Sequence, residues 1–234
     1  VILPSTESIE DMEQGEYYVF IKNFLIQKNV QSQMVYNENL ENENVTGNIA
    51  LGILSKLGNI PYIFAEKITY ADYVVGIDIG RKNKQRSSGS INTLAAARYY
   101  APDGVLDHYL LVIEGIEGET VPEAVLRKMF PANEFANKRI IIHRDGPFRG
   151  QEKPFLEKYG KEINAEFMLV EIIKRNAPRL YGVDGEKIGY PDRGIFLKLS
   201  KNEAILMSNP PLFSNCTPRP LRIINSENIS QMQA

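Results

Sequence analysis

Two aspartates in otherwise apolar strand patterns are the residues of this sequence best suited to hold a cation. Asp78 interrupts the apolar run 74–79 between two glycines, and Asp145 ends a strand pattern that begins with three isoleucines at 140–142. A carboxylate among apolar neighbours is costly unless it is paired or binds a cation. On adjacent strands the pair predicts a Mg²⁺ or Mn²⁺ site, because these ions prefer oxygen ligands. The alternative is that both are ordinary turn residues, since Asp-Gly is a common loop dipeptide.

Between these two strand patterns lie three candidates for a third acid, namely Glu114, Glu117 and Glu119. Only Glu119 directly precedes the next helix pattern. Each of the three can also be a solvated surface residue, and spacing alone does not choose among them.

The first part of the chain alternates helix and strand patterns, which predicts a parallel α/β unit. In order, these are a helix pattern Tyr17–Lys28, an extended segment Val30–Tyr36, a helix pattern Asn48–Leu57 ended by Gly58, and a short strand Pro61–Phe64.

From residue 73 the pattern changes to a strand meander followed by alternating helices and strands. The strand patterns are Tyr73–Ile79, Ile91–Tyr100, Val105–Ile113, Arg139–His143 and Glu166–Ile173, with helix patterns Val121–Phe130 and Pro154–Tyr159 after the third and fourth. Acids on the first and fourth strands of this order are typical of the ribonuclease H fold. There, two metal ions about 3.5 to 4 Å apart act on a phosphodiester, so phosphodiester cleavage is the predicted chemistry.

Composition restricts the class of protein. The chain has 234 residues, 43% hydrophobic and 24% charged, which excludes collagen, coiled coil and extended disorder. One cysteine and two histidines allow no intrachain disulfide and argue against a Cys- or His-based metal cage. The longest apolar runs fall short of the roughly 18 to 20 residues of a membrane span, so the sequence predicts no membrane partner and a reducing, cytoplasmic setting.

Net charge gives no reason of its own to expect nucleic acid, because it is only −2. Charge is nevertheless uneven: residues 1–68 carry 4 Lys/Arg against 9 Asp/Glu, and residues 69–234 carry 23 against 20. The chain opens at Val1 in a strand pattern and closes at Ala234 in a helix pattern that is just starting. We therefore expect a fragment of a longer protein.

Four strings in this order resemble Argonaute proteins. They are Gly-Ile-Asp-Ile-Gly at 76–80, Ile-His-Arg-Asp-Gly at 142–146, Lys-Arg-Asn-Ala-Pro-Arg-Leu at 174–180 and Cys-Thr-Pro-Arg-Pro at 216–220. The resemblance implies an α/β architecture in two parts. Residues 1–68 resemble the C-terminal part of a Rossmann-like MID domain. Residues 69–234 resemble a C-terminally incomplete PIWI domain, a ribonuclease H-like mixed sheet with flanking helices.

What the resemblance implies is an endonuclease directed by a short guide nucleic acid, RNA or DNA, that cleaves the complementary target strand with two Mg²⁺ or Mn²⁺ ions. Asp78 and Asp145 match the metal-binding acids, and Glu119 matches a mobile glutamate that completes the catalytic set. A fourth catalytic residue lies in family members beyond the end of this chain. The remaining partner would be the rest of the Argonaute chain, with its N-terminal and PAZ-like parts.

A 5′-phosphate pocket is predicted in the MID-like part. Tyr18 and Lys22 share one helix face at i and i+4, and a tyrosine for base stacking with two lysines and an amide suits a phosphorylated 5′ end. The matching pocket residues are Tyr18, Lys22, Gln33, Asn48 and Lys56. Gly52 stands where family members have a lysine. For the i, i+4 pair alone, the alternative is an amphipathic surface helix on which Lys22 reaches to solvent.

Four cations match family positions near the guide backbone: Lys174, Arg175, Arg179 and Arg219. Arginine suits phosphate through its bidentate fork and would act by charge rather than by base reading. For Lys174, the alternative is a basic solvated loop. Two alternative functions stay open: an inactive Argonaute that binds guides and recruits a partner, and a ribonuclease H-like nuclease that needs no guide.

Overall fold

The computed structural model describes residues 2–5, 16–36, 43–83, 90–112, 120–189, 191–208 and 219–226. The chain divides into two compact units, Val1–Ile63 and Phe64–Ala234. The boundary predicted from the sequence lies slightly later, after residue 68. Assignment of the first unit to a MID domain stays a prediction.

Within its described residues, the first unit contains two helices and a parallel strand pair. Its elements are β1 (Ile2–Ser5), α1 (Glu16–Gln27), β2 (Gln33–Tyr36) and α2 (Glu43–Lys56), with β1 and β2 parallel. Both predicted helices are confirmed, and α2 begins five residues before the predicted Asn48. The chain leaves each helix through a left-handed residue, Asn29 at φ 56° and Gly58 at φ 83°, which is a common way for a helix to end.

The predicted strand Pro61–Phe64 is wrong, because residues 59–64 form no regular element. Tyr62 and Ile63 are exposed. An apolar run shows that a strand is possible, but it does not show whether a neighbouring strand is available to pair with it.

The second unit is built on a mixed sheet that has eight strands within the described residues. Its strands are β3 (Tyr73–Asn83), β4 (Ser90–Tyr100), β5 (Leu106–Val112), β6 (Arg139–Asp145), β7 (Glu166–Ile173), β10 (Phe196–Lys198), β11 (Glu203–Leu206) and β12 (Leu221–Asn225). They lie in the order β10-β11-β12-β7-β6-β3-β4-β5. β3, β4 and β5 form the predicted antiparallel meander, and β6 pairs parallel to both β3 and β7. Strands β8 (Gly182–Asp184) and β9 (Lys187–Gly189) form a separate hairpin.

Three helices, α3 (Glu123–Met129), α4 (Ala132–Phe135) and α5 (Glu152–Glu162), bury one face of this sheet. Their apolar side chains, such as Leu126 and Leu156, are fully buried with the strand residues Ile140 and Ile142. A smaller cluster on Ile141 and its neighbours lies on the opposite face. The central strands are therefore covered on both faces, as the near-continuous apolar sequence of β6 predicts.

Alternation along β3 explains where Asp78 lies. Val75 and Ile77 are buried in the helix-covered core, so Asp78 belongs to the opposite face, and its side chain is exposed. The expectation that Asp78 is a costly carboxylate surrounded by apolar neighbours is therefore wrong. The strand pattern is apolar, but the position of Asp78 near the end of the covered part of β3 leaves its carboxylate in solvent.

The turn Pro102-Asp103-Gly104 connects β4 and β5 and requires its glycine. Gly104 has φ 83°, and a Cβ there would lie 2.9 Å from ring atoms of Phe64. We expect Gly104→Ala to lower the free energy of unfolding by about 1–2 kcal/mol or more, because a side chain in the left-handed region is strained. Chemical denaturation measures this. Gly189→Ala, which has open space around its Cβ, is the matched control, and equal losses for the two variants would contradict the explanation.

Candidate functional site

The two predicted aspartates lie side by side on the sheet. β3 and β6 are parallel neighbours with Ile77 opposite Arg144, and Asp78 and Asp145 are the next residues on their strands. Both side chains line one open cavity of about 560 Å³, a size within the roughly 300–1,000 Å³ of ligand clefts. The two carboxylates offer only oxygen ligands, which suit Mg²⁺ or Mn²⁺.

A lysine already neutralises one of these carboxylates. Lys174 Nζ donates to Asp145 Oδ2 at 2.7 Å, and both side chains keep substantial exposure, 60% for Lys174 and 38% for Asp145. An exposed pair of this kind contributes about 0–1 kcal/mol, so Lys174 is easily displaced by another cation or drawn away by an anion. Asp78 is held by the peptide N–H of Ile79, which donates to its Oδ1 at 2.8 Å.

The four cations predicted to contact a guide backbone are brought together. Lys174, Arg175, Arg179 and Arg219 line one cavity of about 370 Å³ beside the start of β12. This cation cavity shares Lys174, Arg175 and Asn176 with the cavity of the two aspartates. The acids and the cations therefore form one continuous surface on the second unit, with positive charge next to the acid pair.

The cavity of the two aspartates, called the acid cavity below, is also lined by three polar side chains that were not predicted as site residues: Arg144, Arg149 and Asn176. Asn176 adopts φ 60°, a region in which Asn is enriched among residues with a side chain. This preference could have indicated a tight turn at Asn176. Glu119 falls outside the described residues, as do Glu114 and Glu117. Within the described ranges, no group of three or more His, Cys, Asp or Glu side chains could hold a metal.

The first unit assembles four of its five predicted pocket residues around one point. Lys56 Nζ donates to Gln33 Oε1, and Lys22 Nζ donates to the Ser32 carbonyl at 2.9 Å. Lys22 Nζ also lies 5.9 Å from the centre of the Tyr18 ring, within reach of a cation–π contact. The two ammonium groups thus converge on β2 from α1 and α2, which is an arrangement suited to an anion.

The surroundings of Lys56 disfavour its positive charge. Burial and, secondly, the charge of Lys22 lower the pKa of Lys56 below its usual value. Asn48 lies on α2 two turns before Lys56 and is exposed, and its role in the pocket stays a prediction. At Gly52 a Cβ would lie 3.1 Å from Gln33 Oε1, so the family's lysine would require Gln33 to shift.

The mixed sheet, its helix-covered face and the paired acids on adjacent central strands define a ribonuclease H-like fold. Comparison with known proteins then gives the family. A family model described as Piwi domain matches residues 1–230, and the chain belongs to this Piwi family of Argonaute proteins.

Individual relatives agree with this assignment. The argonaute protein of Aquifex aeolicus is 32% identical over 230 residues, which are 95% of this chain and 31% of that protein. A solved Aquifex aeolicus Argonaute superposes with a TM-score of 0.68 at 30% identity, covering 97% of this chain and 33% of that one. Clostridium butyricum Argonaute, solved with a guide DNA and a target DNA, gives a TM-score of 0.69 over 99% of this chain and 32% of its own. At 23% identity, that likeness shows the fold alone.

The chain spans about a third of the length of the relatives it matches. Among the described residues, no helix has both the length and the apolar character needed to cross a bilayer.

Proposed function

We propose that this chain is the part of an Argonaute that anchors the 5′-phosphate of a short guide nucleic acid and cleaves the target strand paired with it. The observation that carries the proposal is the shared cavity of Asp78 and Asp145 at neighbouring strand positions. A phosphodiester is an anion, and a pair of carboxylates repels it unless a divalent cation lies between them.

The acid pair fits a divalent metal in its chemistry and its access. Asp78 and Asp145 would hold the ion, with Glu119 as the third acid. When bound, the metal would supply an activated water and stabilise the charge that develops on the phosphate. The chain's own part is to present two carboxylates from a rigid sheet, so that their spacing is fixed by strand pairing rather than by a loop.

The cation cavity supports binding of a nucleic-acid backbone beside the acids. Arg175, Arg179 and Arg219 offer guanidinium forks to phosphates, and such contacts position a strand without reading its sequence. A backbone phosphate that binds Lys174 would also draw it away from Asp145. Guide binding and metal binding at Asp145 would then favour one another.

This competition gives a prediction for Lys174→Met. We expect Mn²⁺ to bind the variant about two- to fivefold more tightly, because the ion no longer competes with a pair worth up to about 1 kcal/mol. The guide should bind more weakly, since a phosphate contact is lost. Titration of Mn²⁺ followed by electron paramagnetic resonance measures the first effect, and filter binding measures the second. Unchanged Mn²⁺ affinity would contradict the competition.

The first unit supports 5′-phosphate anchoring through Lys22, Gln33 and Lys56, which converge near the Tyr18 ring. Because its surroundings disfavour the charge of Lys56, the Lys56 ammonium group gains from an added dianion. A base stacked on Tyr18 would then be the first of the guide.

Guide chemistry is an outcome of the test. Aquifex aeolicus Argonaute has been solved with externally bound siRNA, Clostridium butyricum Argonaute with a guide DNA, and Marinitoga piezophila Argonaute with a 5′-OH guide RNA. Backbone-phosphate contacts scarcely distinguish RNA from DNA in the absence of a 2′-OH contact.

The test is cleavage of an end-labelled target by the full-length protein. RNA and DNA guides with 5′-phosphate or 5′-hydroxyl ends are compared in Mg²⁺ and in Mn²⁺. Cleavage at one position, dependent on a complementary guide and on the metal, supports the proposal. Cleavage without a guide supports a guide-independent nuclease.

A second candidate function is guide binding without cleavage, and the Lys174–Asp145 ion pair favours it. In that case Lys174 would replace the metal permanently as the counter-ion of Asp145. Tight 5′-phosphate guide binding, with no cleavage in either metal, would identify this function.

A further inference from the structure

Glu152 is a buried carboxylate that contacts two residues lining the acid cavity, Arg144 and Arg149. It is the first residue of α5, and its side chain is 1% exposed. Its two oxygens accept three hydrogen bonds: Oε1 from the Val121 N–H at 2.6 Å, and Oε2 from Arg144 Nε at 3.2 Å and the Arg149 N–H at 3.1 Å. A carboxylate with this many donors in a low-dielectric site has one preferred orientation.

Arg144 connects Glu152 to the proposed metal ligand. The Arg144 side chain is 6% exposed, and its Nη1 donates to the backbone carbonyl of Asp145 at 2.9 Å. The guanidinium thus lies between the Glu152 carboxylate and the peptide group of Asp145. Its rigid fork allows both contacts at once.

Glu152 also fixes the chain on either side of the acid cavity. Through the Arg149 N–H it closes the loop 146–149 that follows Asp145 directly. Through the Val121 N–H it holds the chain two residues after Glu119, which lies outside the described residues. The Asp145 carbonyl is therefore held by Arg144, and the chain that follows Asp145 is held through the loop 146–149. Both contacts depend on the Glu152 carboxylate.

We propose that Glu152 is a positioning residue for metal binding at Asp145, acting through Arg144 and the loop 146–149. The inference rests on the proposed function, because it assigns Asp145 the role of a metal ligand. Glu152 itself does not touch the metal or the substrate. Outer groups that orient metal ligands typically change metal affinity or activity by 10- to 100-fold when they are replaced.

The chain offers a matched control on the same helix. Glu162 ends α5 and pairs with Arg127 at 3.2 Å, but both side chains are about half exposed. Glu152→Gln and Glu162→Gln therefore make the same chemical change in a Glu–Arg pair, once buried beside Asp145 and once in solvent. A glutamine at 152 has one acceptor oxygen and one amide donor, so it cannot accept from Val121 on one side and from Arg144 and Arg149 on the other.

The experiment measures Mn²⁺ binding to the guide-loaded full-length protein by electron paramagnetic resonance, with target cleavage as a second readout. We expect Glu152→Gln to raise the Mn²⁺ dissociation constant at least about tenfold and to slow cleavage at saturating guide. Guide affinity measured without divalent metal should stay unchanged, and Glu162→Gln should behave as wild type. A variant with a lower melting temperature but unchanged Mn²⁺ affinity well below that temperature would overturn the inference, because it would show a purely structural role.

Arg144→Lys provides a second route if Glu152→Gln does not fold. A lysine keeps the buried positive charge beside Glu152 but lacks the fork that also reaches Asp145, so Mn²⁺ affinity should fall in the same direction. The variant Asp145→Asn distinguishes failure of the proposed function from failure of the positioning role of Glu152. If Mn²⁺ binding by wild type does not depend on Asp145, the proposed function fails; if it does and Glu152→Gln binds as wild type, only the positioning role fails.

Discussion

Replacing Asp78 or Asp145 by asparagine is expected to abolish target cleavage without weakening guide binding measured in the absence of divalent metal. Asparagine keeps the shape of each side chain but removes the charge that holds a divalent ion between adjacent strands. Metal catalysis supplies several kcal/mol of transition-state stabilisation, and about 4 kcal/mol corresponds to roughly a thousandfold in rate. Single-turnover cleavage of a labelled target by the full-length protein measures the rate, and filter binding measures guide affinity.

Asp184→Asn is the control for this prediction, because Asp184 lies exposed in the separate β8–β9 hairpin. It should cleave as wild type. If the Asp78 and Asp145 variants lose guide binding and cleavage to the same degree, the two aspartates contribute to the fold or to guide contact and the metal assignment is wrong.

Replacing Lys56 by methionine should weaken binding of a 5′-phosphorylated guide by about 10- to 100-fold, since a hydrogen bond to a charged group contributes about 1.5–3 kcal/mol. Binding of the same guide with a 5′-hydroxyl should change little. The variant should therefore lose the preference for a 5′-phosphate, which fluorescence anisotropy with paired guides measures directly. Lys28→Met is the control, because Lys28 follows α1 and is exposed. Equal weakening for both guide ends would place Lys56 outside a phosphate pocket.

The lowered pKa of Lys56 adds a pH dependence to the same measurement. In the free protein, burial and the charge of Lys22 make Lys56 lose its proton at a lower pH than an ordinary lysine. As pH rises through this lowered value, the pocket loses a positive charge, so the wild-type preference for a 5′-phosphate should decline in the alkaline range below 10.5. The Lys56→Met protein should show no such decline. A preference that stays constant up to pH 10.5 in wild type would contradict this role of Lys56.

Much of the sheet was predictable because its strands carry strong local signals. A few neighbouring residues decide the β-branched run of β6 and the turn at Gly104, where φ is 83°. The length of helix α1 in the first unit is a local property in the same way. The predicted strand at Pro61–Phe64 failed because strand formation needs a partner, which local sequence does not specify. The β8–β9 hairpin was also missed, since strands of three residues carry little periodic signal.

For the candidate site, the local sequence predicts which residues could carry the chemistry. It placed Asp78 and Asp145 at strand positions, Lys22 one helical turn from Tyr18, and arginines after β7, because side-chain type and spacing along one element are local properties.

Contacts among these groups, in contrast, depend on how distant segments pack in the folded chain. The parallel pairing of β3 and β6 puts Asp78 beside Asp145 across 67 residues of chain. The parallel pairing of β6 and β7, with Asp145 opposite Ile172, brings Lys174 within reach of Asp145. Burial of Glu152 against Arg144 was likewise invisible in the sequence, where both read as ordinary charged residues. Burial and partners arise from packing between distant segments, and the energy of a charge depends on that environment far more than on its neighbours along the chain.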